Sequence, residues 1–233
     1  MGFASTYLKE RTLFPELIKE APQGDTGIIV VVPSCGEPAI INLLDSLASC
    51  IEPECKTEVI IVVNAPADSG PGIREANMKT LSDAEIWKSA HAGSFFRLYM
   101  VDTDTSRFRK WGVGMARKTG MDEAARRFDS LERPEGIILN LDADCTVERN
   151  YFRRVYEGMS AAVEKSACSL YFEHPLQGSK FPDPVYRAIA QYELHLRYYY
   201  QGLRFAGFPH AHHTVGSAIA VKALPYVRSG GMN

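Results

Sequence analysis

Two short β-branched runs constrain this chain more than any other feature. Gly27-Ile28-Ile29-Val30-Val31-Val32 and Glu58-Val59-Ile60-Ile61-Val62-Val63-Asn64 are apolar almost without a break. Each is too short for a buried helix. Neither alternates as a half-solvated strand does, so both read as strands covered on both faces. Pro33 predicts the end of the first, because proline cannot continue a central ladder. Between them Ile40, Leu44, Leu47 and Ile51 recur at spacings of 4, 3 and 4, the apolar stripe of a helix over 38–51. Pro38 suits its first turn, where a missing N–H does no harm. Strand, helix, strand at this length predicts a right-handed parallel βαβ unit.

The alternation continues. Residues 73–90 read as a helix, 95–101 as a strand, 113–128 as a helix, 136–142 as a strand, 148–162 as a helix and 167–172 as a strand. The pattern predicts an α/β fold: one domain with a mostly parallel, Rossmann-like sheet flanked by helices. Residues 1–26 form an N-terminal arm. Tyr7, Leu8, Leu13, Leu17 and Ile18 predict helix over 5–20, broken near Pro15, and Pro22 to Asp25 a turn. From Pro184, Val185, Ile189, Tyr192, Leu196, Tyr199 and Leu203 predict a long amphipathic helix whose stripe packs as core and rim. Its tyrosines, Tyr192 and Tyr198 to Tyr200, leave a sugar or partner surface open. A strand near 217–221 and a helix over 223–228 follow. The chain then stops at Gly230-Gly231-Met232-Asn233, which reads as an incomplete end.

Bulk properties exclude several classes. A net charge of −2 makes no electrostatic case for nucleic acid or an anionic membrane. No apolar run approaches the ~20 residues that span a bilayer. Met1 to Pro22 does not read as a secretory signal. The five cysteines are odd in number and include no Cys-x-x-Cys pair, which predicts reduced thiols and a cytoplasmic setting.

The chemistry converges on Ile137-Ile138-Leu139-Asn140-Leu141-Asp142-Ala143-Asp144-Cys145, an apolar run ending in two acids. Open α/β sheets bind ligands at the carboxyl ends of their strands. In an extended chain residues i and i+2 share a face, so Asp142 and Asp144 can converge on one cation. Hard oxygen ligands suit Mg²⁺ or Mn²⁺ shared with substrate phosphates. The bland alternative is a polar strand end with Asp144 capping the next helix. Asp142 to Thr146 also resembles the first motif of haloacid-dehalogenase-like phosphatases, with Asp142 as nucleophile, but the chain after it has no adjacent acidic pair to complete it.

Other candidates lie at the ends of the first two strands. Pro33-Ser34-Cys35-Gly36-Glu37 precedes a helix start that can receive an anion or a base-sugar group. It lacks the Gly-x-Gly-x-x-Gly of dinucleotide folds. Ser34 and Glu37 can equally be turn and cap residues. Asn64 can pair with a nucleobase or simply form a turn. In Lys110-Trp111-Gly112-Val113-Gly114-Met115-Ala116-Arg117-Lys118, either Arg117 or Lys118 can face a diphosphate, or both can be solvated. His210, His212 and His213 do not have zinc-site spacing. One can reach the Asp144 cation, or all three are surface residues.

With these residues in place, residues 27–233 resemble the family 2 glycosyltransferases of GT-A fold. Val30 to Pro38 resembles the first-strand motif, usually written Pro-x-x-Asn-Glu. Glu58 to Asn64 resembles the second strand, which usually ends in Asp. Lys110 to Lys118 resembles Gly-x-Ala-x-Ala-Arg-Asn, Leu141 to Cys145 the metal motif, and Thr214 to Gly231 the acceptor-side strand, helix and Gly-Gly turn. The five occur in the family's order.

The resemblance implies inverting transfer of a sugar from a UDP- or GDP-linked donor to a glycan or lipid-linked acceptor. It implies Pro33, Ser34, Glu37 and Asn64 at the nucleoside, Arg117 near the donor, Asp142 at the ribose or metal water, and Asp144 on Mn²⁺ or Mg²⁺. Residues 27–147 would form the donor half and 148–233 the acceptor side. Gly36 and Asn64 replace the usual Asn and Asp. The family's base lies downstream of the Gly-Gly turn, beyond Asn233, so no catalytic base is assigned. A non-catalytic nucleotide-sugar-binding domain is the alternative from another class. The expected location is cytoplasmic, with a peripheral place at the inner membrane face left open.

Overall fold

The computed structural model describes residues 2–103, 105–108, 110–161, 164–212 and 215–232. The chain forms two compact units: Met1–Cys168 with Ala220–Asn233, and Ser169–Ile219. Among the described residues no helix is long and apolar enough to cross a membrane.

The first unit is built on the two β-branched runs. Strand β1, Thr26–Ser34, is buried along all its residues, and β2, Lys56–Val63, along all but its first. They pair in parallel from Thr26 beside Lys56 to Ser34 beside Val63. With β3 (Phe96–Asp102), β4 (Ile137–Asn140), β5 (Ala167–Ser169) and β6 (Ile219–Lys222) they make a sheet of order β3-β2-β1-β4-β6-β5. The pairs β1–β4 and β2–β3 are also parallel.

Pro33 does not end β1. Val31 O accepts from Leu141 N, whereas Ser34 O accepts from Asn64 N. Bonding direction alternates along a strand, so the absent N–H of Pro33 would face β4. That strand has already ended at Asn140, and no ladder bond is lost.

Helix α1 is short, Ser5–Glu10, and α2 covers Ile40–Ala48. Ile40, Leu44 and Leu47 of the predicted stripe are buried together with Leu43, whereas Ile51 lies beyond the helix and is exposed. Helix α3 is Pro71–Ala90, α4 is Val113–Ser130, α5 is Tyr151–Ser160 and α7 is Ala223–Arg228.

Helix α4 lies against the sheet. A Cβ on Gly120 would fall 2.4 Å from Val31 Cγ1 and 2.9 Å from Val62 Cγ2, so only glycine permits this approach. The helix buries charges, each with a partner. Arg127 grips Glu58 of β2 through two bonds, Nε–Oε2 at 2.5 Å and Nη2–Oε1 at 2.8 Å. Tyr7 and Tyr226 donate to Asp122 Oδ1 at 2.6 and 2.7 Å, and Lys118 Nζ lies 3.1 Å from Asp122 Oδ2. Burial, reinforced by Asp122, pushes both phenols above their ordinary range.

The helix predicted for 11–20 does not form. Those backbone groups bond to α4 instead. Glu123 accepts from the N–H of Leu17 and Ile18, both at 3.1 Å, and Arg127 donates to Glu20 O at 2.8 Å. Burial raises the Glu123 carboxyl above its usual range, against the pull of those two N–H groups.

The second unit contains α6, Asp183–Phe205. Its predicted stripe is not a core: Val185 and Tyr192 are exposed, and Tyr199 is 62% exposed. The residues this helix buries are Tyr186 and Glu193. Glu193 accepts from His174 N at 3.0 Å and also meets the His174 ring and the Arg197 guanidinium.

Candidate functional site

Strand register makes the carboxyl edge of the sheet a step. Ser34 stands beside Val63, but β4 reaches only as far as Asn140 beside Val31. The loops 34–37, 64–65 and 141–145 therefore leave neighbouring strands at this edge. The acids do not end the strand as the sequence implied. Leu141 N still donates to Val31 O at 3.1 Å, and the chain then turns, with Cys145 N donating to Asp142 O at 3.2 Å. Leu141 and Ala143 stay buried while Asp142 is half-buried and Asp144 exposed. The alternation that an extended strand would supply survives in the turn, and both carboxylates leave the apolar side.

Arg117 joins this edge. It is buried in α4, and its Nη2 donates to Asp142 Oδ1 at 2.7 Å. Arg117 Nε is buried with no partner among the described residues. Lys118, the alternative cation, turns the other way: its Nζ bonds to Tyr7 OH at 3.0 Å in the core. Successive helix positions are about 100° apart, and here the two adjacent cations diverge.

Around β1, Pro33 and Ser34 are buried, and Ser34 Oγ has no partner among the described residues. Gly36 adopts φ +64°, a left-handed conformation that glycine tolerates. Glu37 Oε1 accepts from Ala39 N at 2.8 Å at the start of α2. Asn64 is buried and its amide is engaged: Nδ2 donates to Ser34 O at 2.8 Å and Val62 O at 3.2 Å, while Oδ1 accepts from Trp111 Nε1 at 2.9 Å.

The donor set suits a shared hard cation. Among the described residues no group of three or more His, Cys, Asp or Glu could hold a metal ion. Of the described residues in this turn, Asp142 and Asp144 bring carboxylate oxygens, so a cation there would need the oxygens of a bound phosphate to fill its shell, as Mg²⁺ usually does. Burial, with Asp144 and Asp142 nearby, pushes the Cys145 thiol up to about 11. His210 and His212 lie in the second unit, after α6, and His213 lies outside the described residues. A cavity of about 730 Å³ occurs elsewhere, among Trp87, His91, Phe96 and Arg97. Those residues belong to the end of α3 and the start of β3, so the cavity sits away from the carboxyl edge, and its two glutamates, Glu52 and Glu85, share the lining with Lys56, Lys88 and Arg97.

Asn77 and Trp111 are the residues that inspection of the sequence does not single out. A signal for Asn77 exists. Asn77, Thr80, Ala84 and Trp87 form the buried stripe of α3 at spacings of 3, 4 and 3. Two polar members at one end of an otherwise apolar stripe mark backbone that needs bonding. Trp111 carries no such signal, because its partner is 47 residues away.

No family model matches the chain, and no curated protein matches it by sequence. Solved structures do. The mannosyltransferase PcManGT from Pyrobaculum calidifontis, in complex with GDP-Man and Mn²⁺, aligns with 98% of this chain and 52% of its own, at 20% identity and a TM-score of 0.51. S. aureus TarS 1-349 aligns with 66% of this chain and 38% of its own, at 20% identity and a TM-score of 0.45. The chain spans about half the length of the first and less of the second. The likeness to the mannosyltransferase is one of fold, an α/β sheet of GT-A type.

Proposed function

We propose that the chain binds a nucleotide-diphosphate sugar with Mn²⁺ or Mg²⁺ on this edge, as the donor-binding part of an inverting family 2 glycosyltransferase. The observation that carries it is the group formed by Asp142, Asp144 and Arg117: two carboxylates leaving one turn, the first bonded to a buried guanidinium at 2.7 Å. A cation and an anion are then recognised side by side, as a metal–diphosphate demands. The fold likeness to an enzyme holding GDP-Man and Mn²⁺ supports the same reading.

Asp144 is the principal metal ligand in this proposal, and Asp142 shares the cation while Arg117 orients it. Pro33, Ser34 and Glu37 line the nucleoside side, with Asn64 beneath them. A bound cation would neutralise charge on the departing diphosphate. Arg117, held in a dry setting, adds a fixed positive charge that needs no reorganisation. Residues 27–147 serve the donor and 148–233 the acceptor, a glycan or lipid-linked hydroxyl. No described residue is assigned as the base.

The test is calorimetric titration of UDP and GDP in the presence and absence of Mn²⁺. Wild type should bind one of them in a Mn²⁺-dependent manner, and Asp144→Ala should weaken that binding at least about tenfold, the scale of a lost charged contact. Metal-independent binding, or Asp144→Ala binding as wild type does, would sink the proposal.

A further inference from the structure

We propose, on the footing of the donor-site reading above, that Trp111 and Asn77 are positioning residues: Trp111 locks the Asn64 amide in one orientation, Asn77 ties the Asn64 backbone carbonyl to Gly36, and together they hold the two strand-tip loops in the shape that receives the nucleoside.

The lock follows from what each partner can do. Ser34 O and Val62 O only accept, so they fix Asn64 Nδ2 at 2.8 and 3.2 Å. An indole N–H only donates, so Trp111 fixes Oδ1 at 2.9 Å. Flipping the amide would set an oxygen against two carbonyls and an NH₂ against an N–H. Asn77 holds the backbone beside it. Its Nδ2 donates to Asn64 O at 2.7 Å, and its Oδ1 accepts from Gly36 N at 2.7 Å. One side chain of α3 thus ties the loop after β1 to the loop after β2. Asn77 is itself buried, so its bonds have no water to replace them.

Two consequences follow. Asn64, with its amide engaged and the residue only 4% exposed, acts through Ser34 and Trp111 and not as a direct reader of the base. Aspartate cannot replace it at neutral pH, because a carboxylate would face two carbonyl oxygens in a buried place. That is a physical reason for asparagine here, where the family it resembles usually has aspartate. Trp111 in turn packs against Phe108 and Phe14, with ring centroids 5.0 and 6.0 Å apart. The segment from Trp111 to Arg117 is therefore fastened twice, to Asn64 at the tip of β2 and to Asp142 beyond β4.

The test has a ligand-free arm and a ligand arm. Asn64→Asp should melt well below wild type at pH 7. The deficit should shrink as pH falls toward 5, because a protonated carboxyl can again donate to Ser34 O while its other oxygen accepts from Trp111. A merely structural loss would not follow pH in this way, so a pH-independent deficit, or no deficit at pH 7, overturns the lock. In the second arm, Trp111→Phe keeps the aromatic packing and removes the N–H. Its affinity for UDP or GDP with Mn²⁺ should fall about fivefold, the scale of one hydrogen bond. Wild-type binding with Trp111→Phe unaltered overturns the positioning role alone. If wild type binds neither nucleotide, the donor-site reading fails and takes the positioning role with it.

Discussion

Helices α4 and α6 are both long, and each reverses what its residues suggest. The α4 sequence carries Lys118, Asp122, Glu123 and Arg127, and all four are buried. The α6 sequence carries Tyr192, Leu194, Tyr198, Tyr199 and Phe205, and all five are exposed. The difference lies in the partners. Each α4 charge meets a complementary group from distant sequence, such as Glu58, which is 69 residues from Arg127. Burial of a charge is tolerated only when it is paired and hydrogen-bonded, and these are. Tyr192, Tyr198, Tyr199 and Phe205 of α6 stay at least half exposed among the described residues. Besides Tyr186, what α6 buries is Glu193, whose partners are His174, 19 residues away, and Arg197, one helical turn on. Polarity alone therefore does not tell which face of a helix is inside.

This contrast can be broken at three points. The largest effect is expected from Arg127→Ala, which leaves Glu58 charged and alone inside β2. Removing one partner of such a pair costs about 3–5 kcal/mol, to be read from urea unfolding. A loss below about 0.5 kcal/mol would mean that α4 is an ordinary solvated helix.

A smaller effect is expected at Glu193. Burial opposes its ionisation, but bonds from His174 and Arg197 prevail and hold its pKa at about 2, against an ordinary 4.5. A depressed carboxylate contributes stability above its unfolded pKa and loses it as pH falls toward its folded one. The helical circular dichroism of wild type should therefore decline between pH 4.5 and about 2 beyond what other groups cause. Glu193→Gln should be less stable at pH 7 and lack that component. An identical acid profile in the variant would remove Glu193 as the anchor of α6.

The smallest effect is expected from Tyr198→Ser and Phe205→Ser, at sites 78% and 97% exposed. Each should change stability by no more than about 0.5 kcal/mol in thermal melts. A loss above about 2 kcal/mol would show that the α6 aromatics are packed after all.

Much of the fold and part of the site are legible from residue order. The β-branched runs of β1 and β2 declare buried parallel strands because nothing in them is fit to face water. The α2 stripe announces its buried face at helical spacing. Asp142 and Asp144 are visible because two acids after an apolar run have few structural uses. Charge and spacing leave Arg117 and Lys118 as equals, and in the sequence only the family resemblance favours Arg117. Neighbours in sequence, they point apart, and Tyr7 and Asp122 hold one in the core while Asp142 draws the other to the edge. Asn64 is visible as a candidate, but the orientation of its amide depends on Ser34 O and Trp111.

Residue order by itself determined which segments become strands, where the sheet's carboxyl edge lies, and that paired carboxylates stand on it. These follow from local patterning, since a run of Val and Ile or a stripe at helical spacing has few ways to leave water. Tertiary structure alone decided which charges go inside α4, which aromatics stay outside α6, and how Asn64 is turned. Those outcomes depend on hydrogen-bond and ion-pair partners tens of residues away, and a polar group's place is set by the partner that meets it.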